Sequence, residues 1–169
     1  LPYLSFTTNN ERKSGLLFPK LGYNEDTGIL YEQPIFWAPY TNWDIEFNPQ
    51  IRSKRSVGVY GTLRFADSEN SNGEIRLGGF RDFNNYYEAN DLKYKNHYGL
   101  EFLYDSSKVF DLPLDFKDGL YINAIYLNDI DYINLQKSRL DHFGVTNFQE
   151  SRLNYFANNN DYFALLNAK

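Results

Sequence analysis

The chain has no cysteine and no methionine among its 169 residues, only two histidines, and no apolar run approaching the roughly eighteen residues that a membrane-spanning helix needs. Without cysteine this stretch has no disulfide, no thiolate metal site and no cysteine nucleophile. Helical periodicity is nearly absent, and the mean hydropathy of −0.60 leaves no candidate transmembrane helix. A transmembrane β-barrel survives these exclusions, because only alternate residues of its strands meet lipid and the average stays polar. The formal net charge is −5 and basic pairs are scattered, so no nucleic-acid partner is expected. Phosphate-cradling glycine loops, serine elbows and nucleophile–base pairs are missing, so neither an enzyme nor a cofactor is expected. His97 and His142 lie far apart in predicted loops, each without a ligand partner two or four residues away. Both read as solvated loop residues, with no metal site. The first residues, Leu-Pro-Tyr-Leu-Ser-Phe, carry no targeting pattern, and with the lack of methionine the chain reads as an excised or processed segment.

Aromatics, in contrast, are plentiful: 15 Tyr, 14 Phe and 2 Trp make up 18% of the chain. Such an excess suits either the aromatic girdles of a membrane barrel or a carbohydrate-stacking surface. The recurring pattern is strict alternation. In WDIEFNPQIR, Trp43, Ile45, Phe47, Pro49 and Ile51 fall on one face and Asp44, Glu46, Asn48, Gln50 and Arg52 on the other. VGVYGTLRF repeats it, with Tyr60, Thr62 and Arg64 on the polar side, and HYGLEFLY sets Tyr98, Leu100, Phe102 and Tyr104 against Gly99, Glu101 and Leu103. About ten strands are expected, at 2–8, 15–24, 28–38, 43–52, 57–65, 74–80, 97–104, 119–127, 144–157 and 161–169.

NEDTG and SKRS read as short turns, with Gly28 suited to a positive φ, while DSENSNG, the segment 82–97 and the segment from Asp129 to His142 read as longer loops. Short turns at one end and long loops at the other is the habit of an outer-membrane barrel. A soluble β-sandwich that binds glycans remains the alternative. The apolar faces nevertheless concentrate Trp37, Trp43, Phe65, Tyr98 and Tyr104 near strand ends, and the polar faces carry bulky charges suited to a wet lumen. The carboxylates Asp44 and Glu46 share a strand face about 7 Å apart, as they would on any polar strand face. Asp129 and Asp131 are spaced as in a calcium loop but lack its glycine and bidentate glutamate, so Asp129 reads as the cap of a turn or short helix through YINLQKSRL. Pro19 stands inside a predicted strand, and a proline there marks an edge or a bulge because it cannot donate to a ladder. Pro34 and Pro49 pose the same problem.

The matching residues Pro2-Tyr3, Arg12-Lys13-Ser14-Gly15, Leu17, Pro19, Pro34, Phe36-Trp37, Asp44, Pro49, Lys54-Arg55 and Arg64-Phe65, and farther on Asp129 and Tyr132, resemble the LPS-assembly protein LptD (organic solvent tolerance protein) family. Leu16 stands where that family usually has Phe, and Ser56 where it commonly has Gly. The resemblance implies an all-β, antiparallel, up-and-down transmembrane β-barrel, present here as an incomplete set of about ten N-terminal strands, with a jellyroll junction at about 1–8. It implies residence in the outer membrane of a Gram-negative bacterium and insertion of lipopolysaccharide through a lateral gate between the first and last strands. Pro2, Phe18 and Pro19 would lie at that gate, since a proline removes a ladder donor from a seam that must open. Glu46, Arg52, Tyr60, Arg64 and Glu101, with Asp44, would face the lumen. The implied partners are lipopolysaccharide, the lipoprotein plug LptE and the periplasmic bridge protein LptA. Another outer-membrane porin or transporter barrel would share the alternation but not the Arg-Lys-Ser-Gly…Pro block.

Overall fold

A computed structural model describes residues 13–113, 115–136 and 151–169. Eleven strands form one antiparallel sheet: β1 (Gly15–Leu16), β2 (Lys20–Asn24), β3 (Gly28–Glu32), β4 (Ile35–Trp37), β5 (Trp43–Arg52), β6 (Ser56–Ser68), β7 (Ser71–Asp82), β8 (Asn96–Ser106), β9 (Lys117–Leu127), β10 (Arg152–Asn158) and β11 (Phe163–Ala168). From β5 onward each strand pairs with the next in sequence, a plain meander. The sheet does not close on itself among the described residues; β2 pairs only with β3, and β11 only with β10. The fold is thus all-β and antiparallel as expected, and it is an open sheet rather than a completed barrel. Pro2, Arg12, His142 and the expected junction at 1–8 lie outside the described residues.

The prolines divide the second and third predicted strands. The 15–24 run breaks into β1 and β2 around Phe18-Pro19, and the 28–38 run breaks into β3 and β4 at Gln33-Pro34. Pro19 thus lies in the interruption of an edge strand, a position that costs no interior ladder bond. The gap is patched locally: the Leu17 amide donates to the Pro34 carbonyl at 2.9 Å, and Gln33 Nε2 donates to the carbonyls of Leu17 and Pro34. Pro49 stays within β5, opposite Val59 of β6. Its carbonyl accepts from the Gln33 amide, so its missing N–H faces the break between β3 and β4 instead of an intact ladder.

Turn chemistry fixes the hairpins. Asn24 Oδ1 accepts from the amides of Asp26 and Thr27, and Gly28 takes φ +79°. Asn159 does the same for Asp161 and Tyr162 between β10 and β11. The expected sorting of loops by length does not hold. DSENSNG is mostly strand, leaving a tight turn at Glu69-Asn70 between Ser68 and Ser71. The turns at 25–27 and 53–55 lie at the same end of the sheet as the long connections that follow β7 and β9. Two short helices were not read as such or only partly: α1 (Asn84–Ala89) within the connection after β7, and α2 (Asp131–Leu135) after β9. No helix among the described residues is long and apolar enough to cross a membrane.

Candidate functional site

Register and exposure together show an inside-out sheet. In β5 every even-numbered position from Asp44 to Gln50 is buried, whereas Trp43, Ile45, Phe47, Pro49 and Ile51 are partly or well exposed. The ladder carries this parity across neighbouring strands. On one face Ile45, Leu63, Ile75 and Phe102 stand in line, as do Phe47, Gly61, Leu77 and Leu100. On the other face Glu46, Thr62, Arg76 and Glu101 stand in line, beside Asp44, Arg64 and Glu74. Val59 is 44% exposed and Leu77 56%, while Asp44 is 2% and Arg76 6%. Water-facing sheets hide the aliphatic face and expose the charged one; this one does the reverse.

The outer face is also graded along the strands. Aliphatic residues share its middle with Phe47, Phe102 and Tyr126, while Trp37, Trp43, Phe65 and Tyr104 gather at one end and Tyr31 and Tyr98 lie toward the other. Trp37 and Trp43 meet edge to face at 5.4 Å, and Phe65 stacks on Tyr104 at 6.4 Å. A ten-residue strand such as β5 is about 33 Å long, and a tilt of about 40° reduces its rise to about 25 Å, the height of a barrel's apolar band.

Charges on the inner face are paired, across strands and within β7. Arg64 Nη2 lies 2.6 Å from Asp44 Oδ1 and 3.4 Å from Glu46 Oε2, so the two carboxylates of one strand face share a single guanidinium. Arg76 bridges Glu74 at 2.5 Å and Glu101 at 3.1 Å. Lys20 pairs with Glu32, which also accepts from the Tyr60 hydroxyl at 3.1 Å. An open cleft of about 330 Å³ at the Trp43 end is lined by Asp44, Arg64, Glu74 and Leu103 among others.

At the opposite end α2 folds down onto this inner face. Its Tyr132 ring packs against Phe80 at 5.9 Å, and Phe80 packs against Tyr60. Residue 99 is glycine because a Cβ would come within 2.4 Å of the Tyr132 ring. Burial holds the Tyr132 phenol well above its ordinary range. Gln50 Nε2 and Arg52 Nη2 both donate to the Leu135 carbonyl. Asp129 Oδ1 accepts from the amides of Asp131 and Tyr132, so the expected cap is present and it starts α2.

His97, expected as a solvated loop residue, is instead 1% exposed. Its Nε2 lies 2.8 Å from Asp82 Oδ2 and its Nδ1 2.8 Å from Asp129 Oδ2. Arg55 joins the same network, 3.4 Å from Asp82 and 3.3 Å from Asp131. The side chains of His97, Asp129 and Asp131 bring ligand-type atoms within 4.8 Å of one another, but each already has an internal partner. Sequence spacing gave no sign of this hub, because it joins β7, β8, the β5–β6 turn and α2.

The remaining motif residues are dispersed. Ser14 Oγ accepts from the Ala38 amide, Gly15 lies in β1, and Lys13 is exposed. Lys54 reaches the Glu25 carbonyl across the two adjacent turns. Phe18 is 68% exposed at the sheet's edge.

The sheet thus has one buried face of paired charges and one exposed face of aliphatic and aromatic side chains. The chain is 29% identical over 138 residues to the LPS-assembly protein LptD of Legionella pneumophila (strain Lens), covering 76% of this chain and 16% of that protein. It is 30% identical over 139 residues to LptD of Haemophilus influenzae (strain 86-028NP), covering 78% of this chain and 16% of the relative. A shorter alignment with LptD of Pseudoalteromonas atlantica reaches 36% over 77 residues, 46% of this chain and 10% of that protein. This is an LptD-related segment. It spans about a sixth of the length of the first two LptD relatives. No protein-family model matches the chain.

Proposed function

We propose that the chain is the N-terminal part of the outer-membrane β-barrel of an LptD-type lipopolysaccharide translocon. The observation that carries this reading is the inversion of the sheet, with Asp44, Glu46, Arg64, Arg76 and Glu101 paired on the buried face and Val59, Leu77 and Leu100 exposed on the other. The relation to LptD supplies the substrate class. On this reading the inner face lines a hydrated lumen, where mutually neutralised charges present a polar wall to sugars and phosphates without holding them tightly. The outer face meets acyl chains. The interrupted first strand around Phe18-Pro19 is one side of a seam whose other side is the barrel's last strand, beyond this chain, and lipopolysaccharide leaves sideways through it. A seam bordered by a proline-broken strand has fewer donors to separate on opening, each ladder bond being worth about 0.5–1.5 kcal/mol net. The lipoprotein LptE would fill the lumen and LptA deliver the substrate from the periplasm; the protein would act by conducting lipid rather than by catalysis.

A soluble glycan-binding sandwich would need a second layer over the aliphatic face, and no such layer exists among the described residues. The test is site-specific photo-crosslinking from position 18 of the full-length protein in living cells. A lipopolysaccharide adduct that disappears when transport energy is withdrawn supports the gate. An adduct insensitive to energy returns Pro19 to an ordinary edge-strand proline.

A further inference from the structure

Asp118 is a buried carboxylate on the apolar outer face. The β9–β10 register places Asp118 on the same face as Leu120, Ile122 and Tyr155, the face of aliphatic and aromatic side chains, yet Asp118 is 2% exposed. The connection between β8 and β9 covers it. Asp118 Oδ1 accepts from the Val109 amide at 2.9 Å, and Oδ2 accepts from the Phe110 amide at 3.1 Å and from the Tyr155 hydroxyl at 3.1 Å. The carboxylate is therefore consumed in folding the loop outward against the wall, not toward the polar inner face. The Phe110 ring meets the outer-face Tyr155 edge to face at 6.1 Å while remaining 58% exposed. The sequence of this clamped stretch, Lys-Val-Phe-Asp-Leu-Pro at 108–113, is unusually apolar for a loop, and Lys108 and Asp111 pair with each other at 2.7 Å. The loop lies at the same end of the sheet as Trp37, Trp43, Phe65 and Tyr104.

We propose that residues 108–113 form an interfacial membrane anchor, in which Phe110 extends the aromatic girdle beyond the wall into the glycerol zone of a phospholipid leaflet and Asp118 positions it. The inference rests on the barrel reading above. On that reading the first strand rises from this end, which is therefore periplasmic and bordered by the phospholipid leaflet of an outer membrane. Aromatic side chains form girdles at both interfaces of a membrane barrel, and an exposed ring carried on an apolar loop suits that boundary. Glu69-Asn70 at this end is a polar two-residue turn, whereas the β4–β5 connection, with Tyr40 against Trp43, and the β10–β11 turn, with Tyr162, also present exposed aromatic rings there.

The test places a nitroxide at 110, 59 or 69 of the full-length protein in vesicles of phosphatidylethanolamine and phosphatidylglycerol, and compares collision with oxygen and with a water-soluble nickel chelate. At Val59 oxygen should dominate, at Glu69 the chelate. At Phe110 the oxygen-to-chelate ratio should lie several-fold above that of Glu69 and below that of Val59. In an Asp118→Ala background the ratio at 110 should fall to that of Glu69 with Val59 unchanged; retention overturns the role given to Asp118. A lipid signature at 59 with a water signature at 110 overturns the anchor and leaves the barrel standing. A water signature at 59 overturns the barrel reading and the anchor with it.

Discussion

Replacing Leu100 by arginine separates the two faces at neighbouring positions of one strand. Leu100 is the fifth of the eleven residues of β8, about 13 Å along the strand from its start, and it stands between Leu77 and Tyr126 on the aliphatic face. On the barrel reading that position is close to the middle of the apolar band, where an arginine facing lipid costs about 2–4 kcal/mol. At about 1.4 kcal/mol per tenfold, the folded-to-unfolded ratio should fall between about 30-fold and several hundred-fold. Glu101, one residue on, faces Arg76 at 3.1 Å on the opposite face. Glu101→Gln keeps an acceptor there, and Glu74 still neutralises Arg76 at 2.5 Å, so the loss should be about 1 kcal/mol. The assay is equilibrium denaturation of the full-length protein in phospholipid vesicles. Equal losses at 100 and 101, or a larger loss at 101, would refute the assignment of faces.

Two further substitutions probe how α2 is held on the inner face. His97→Ala removes the group between Asp82 and Asp129 and leaves buried carboxylates short of a partner, a loss of about 3–5 kcal/mol for a broken buried pair. Hydrogen exchange of the amides of 131–135 should accelerate while the β5–β6 ladder stays protected; unchanged exchange in α2 would remove His97 from the account. Asp129→Ala should cost about 1 kcal/mol for the lost amide acceptor, in addition to its contact with His97. Asp129→Asn retains that acceptor and should recover the cap, read as slower proteolysis within α2 than in the alanine variant.

The two faces of the sheet were legible in the sequence because their cause is local. A strand's side chains alternate by geometry, so Asp44 to Arg52 could be sorted into faces from their order alone, and the ladder only had to carry that parity sideways. Pro19 and Pro34 likewise act where they stand, and each produces a break, although the run of residues around them did not show that each predicted strand would become two. Asp129 was readable as a cap for the same reason, its partners being two and three residues away. His97 was not. Its partners lie 15 and 32 positions away and meet it only after β7, β8 and α2 have assembled. The sides on which the loops fall were also hidden, because they depend on where the strands end, and DSENSNG turned out to extend two strands rather than to separate them. The inward docking of α2 requires Gly99 beneath Tyr132, a vacancy that has meaning only once the two are brought together.

The central claim is that the odd-numbered residues of β5 face lipid and the even-numbered ones do not. A photoactivatable residue placed singly at Ile45, Glu46, Phe47, Asn48, Gln50 and Ile51 of the full-length protein in its native membrane tests it directly, with lipid adducts as the readout. The account predicts adducts at 45, 47 and 51 and none at 46, 48 and 50. Adducts without this two-residue period, or with its phase reversed, would contradict it.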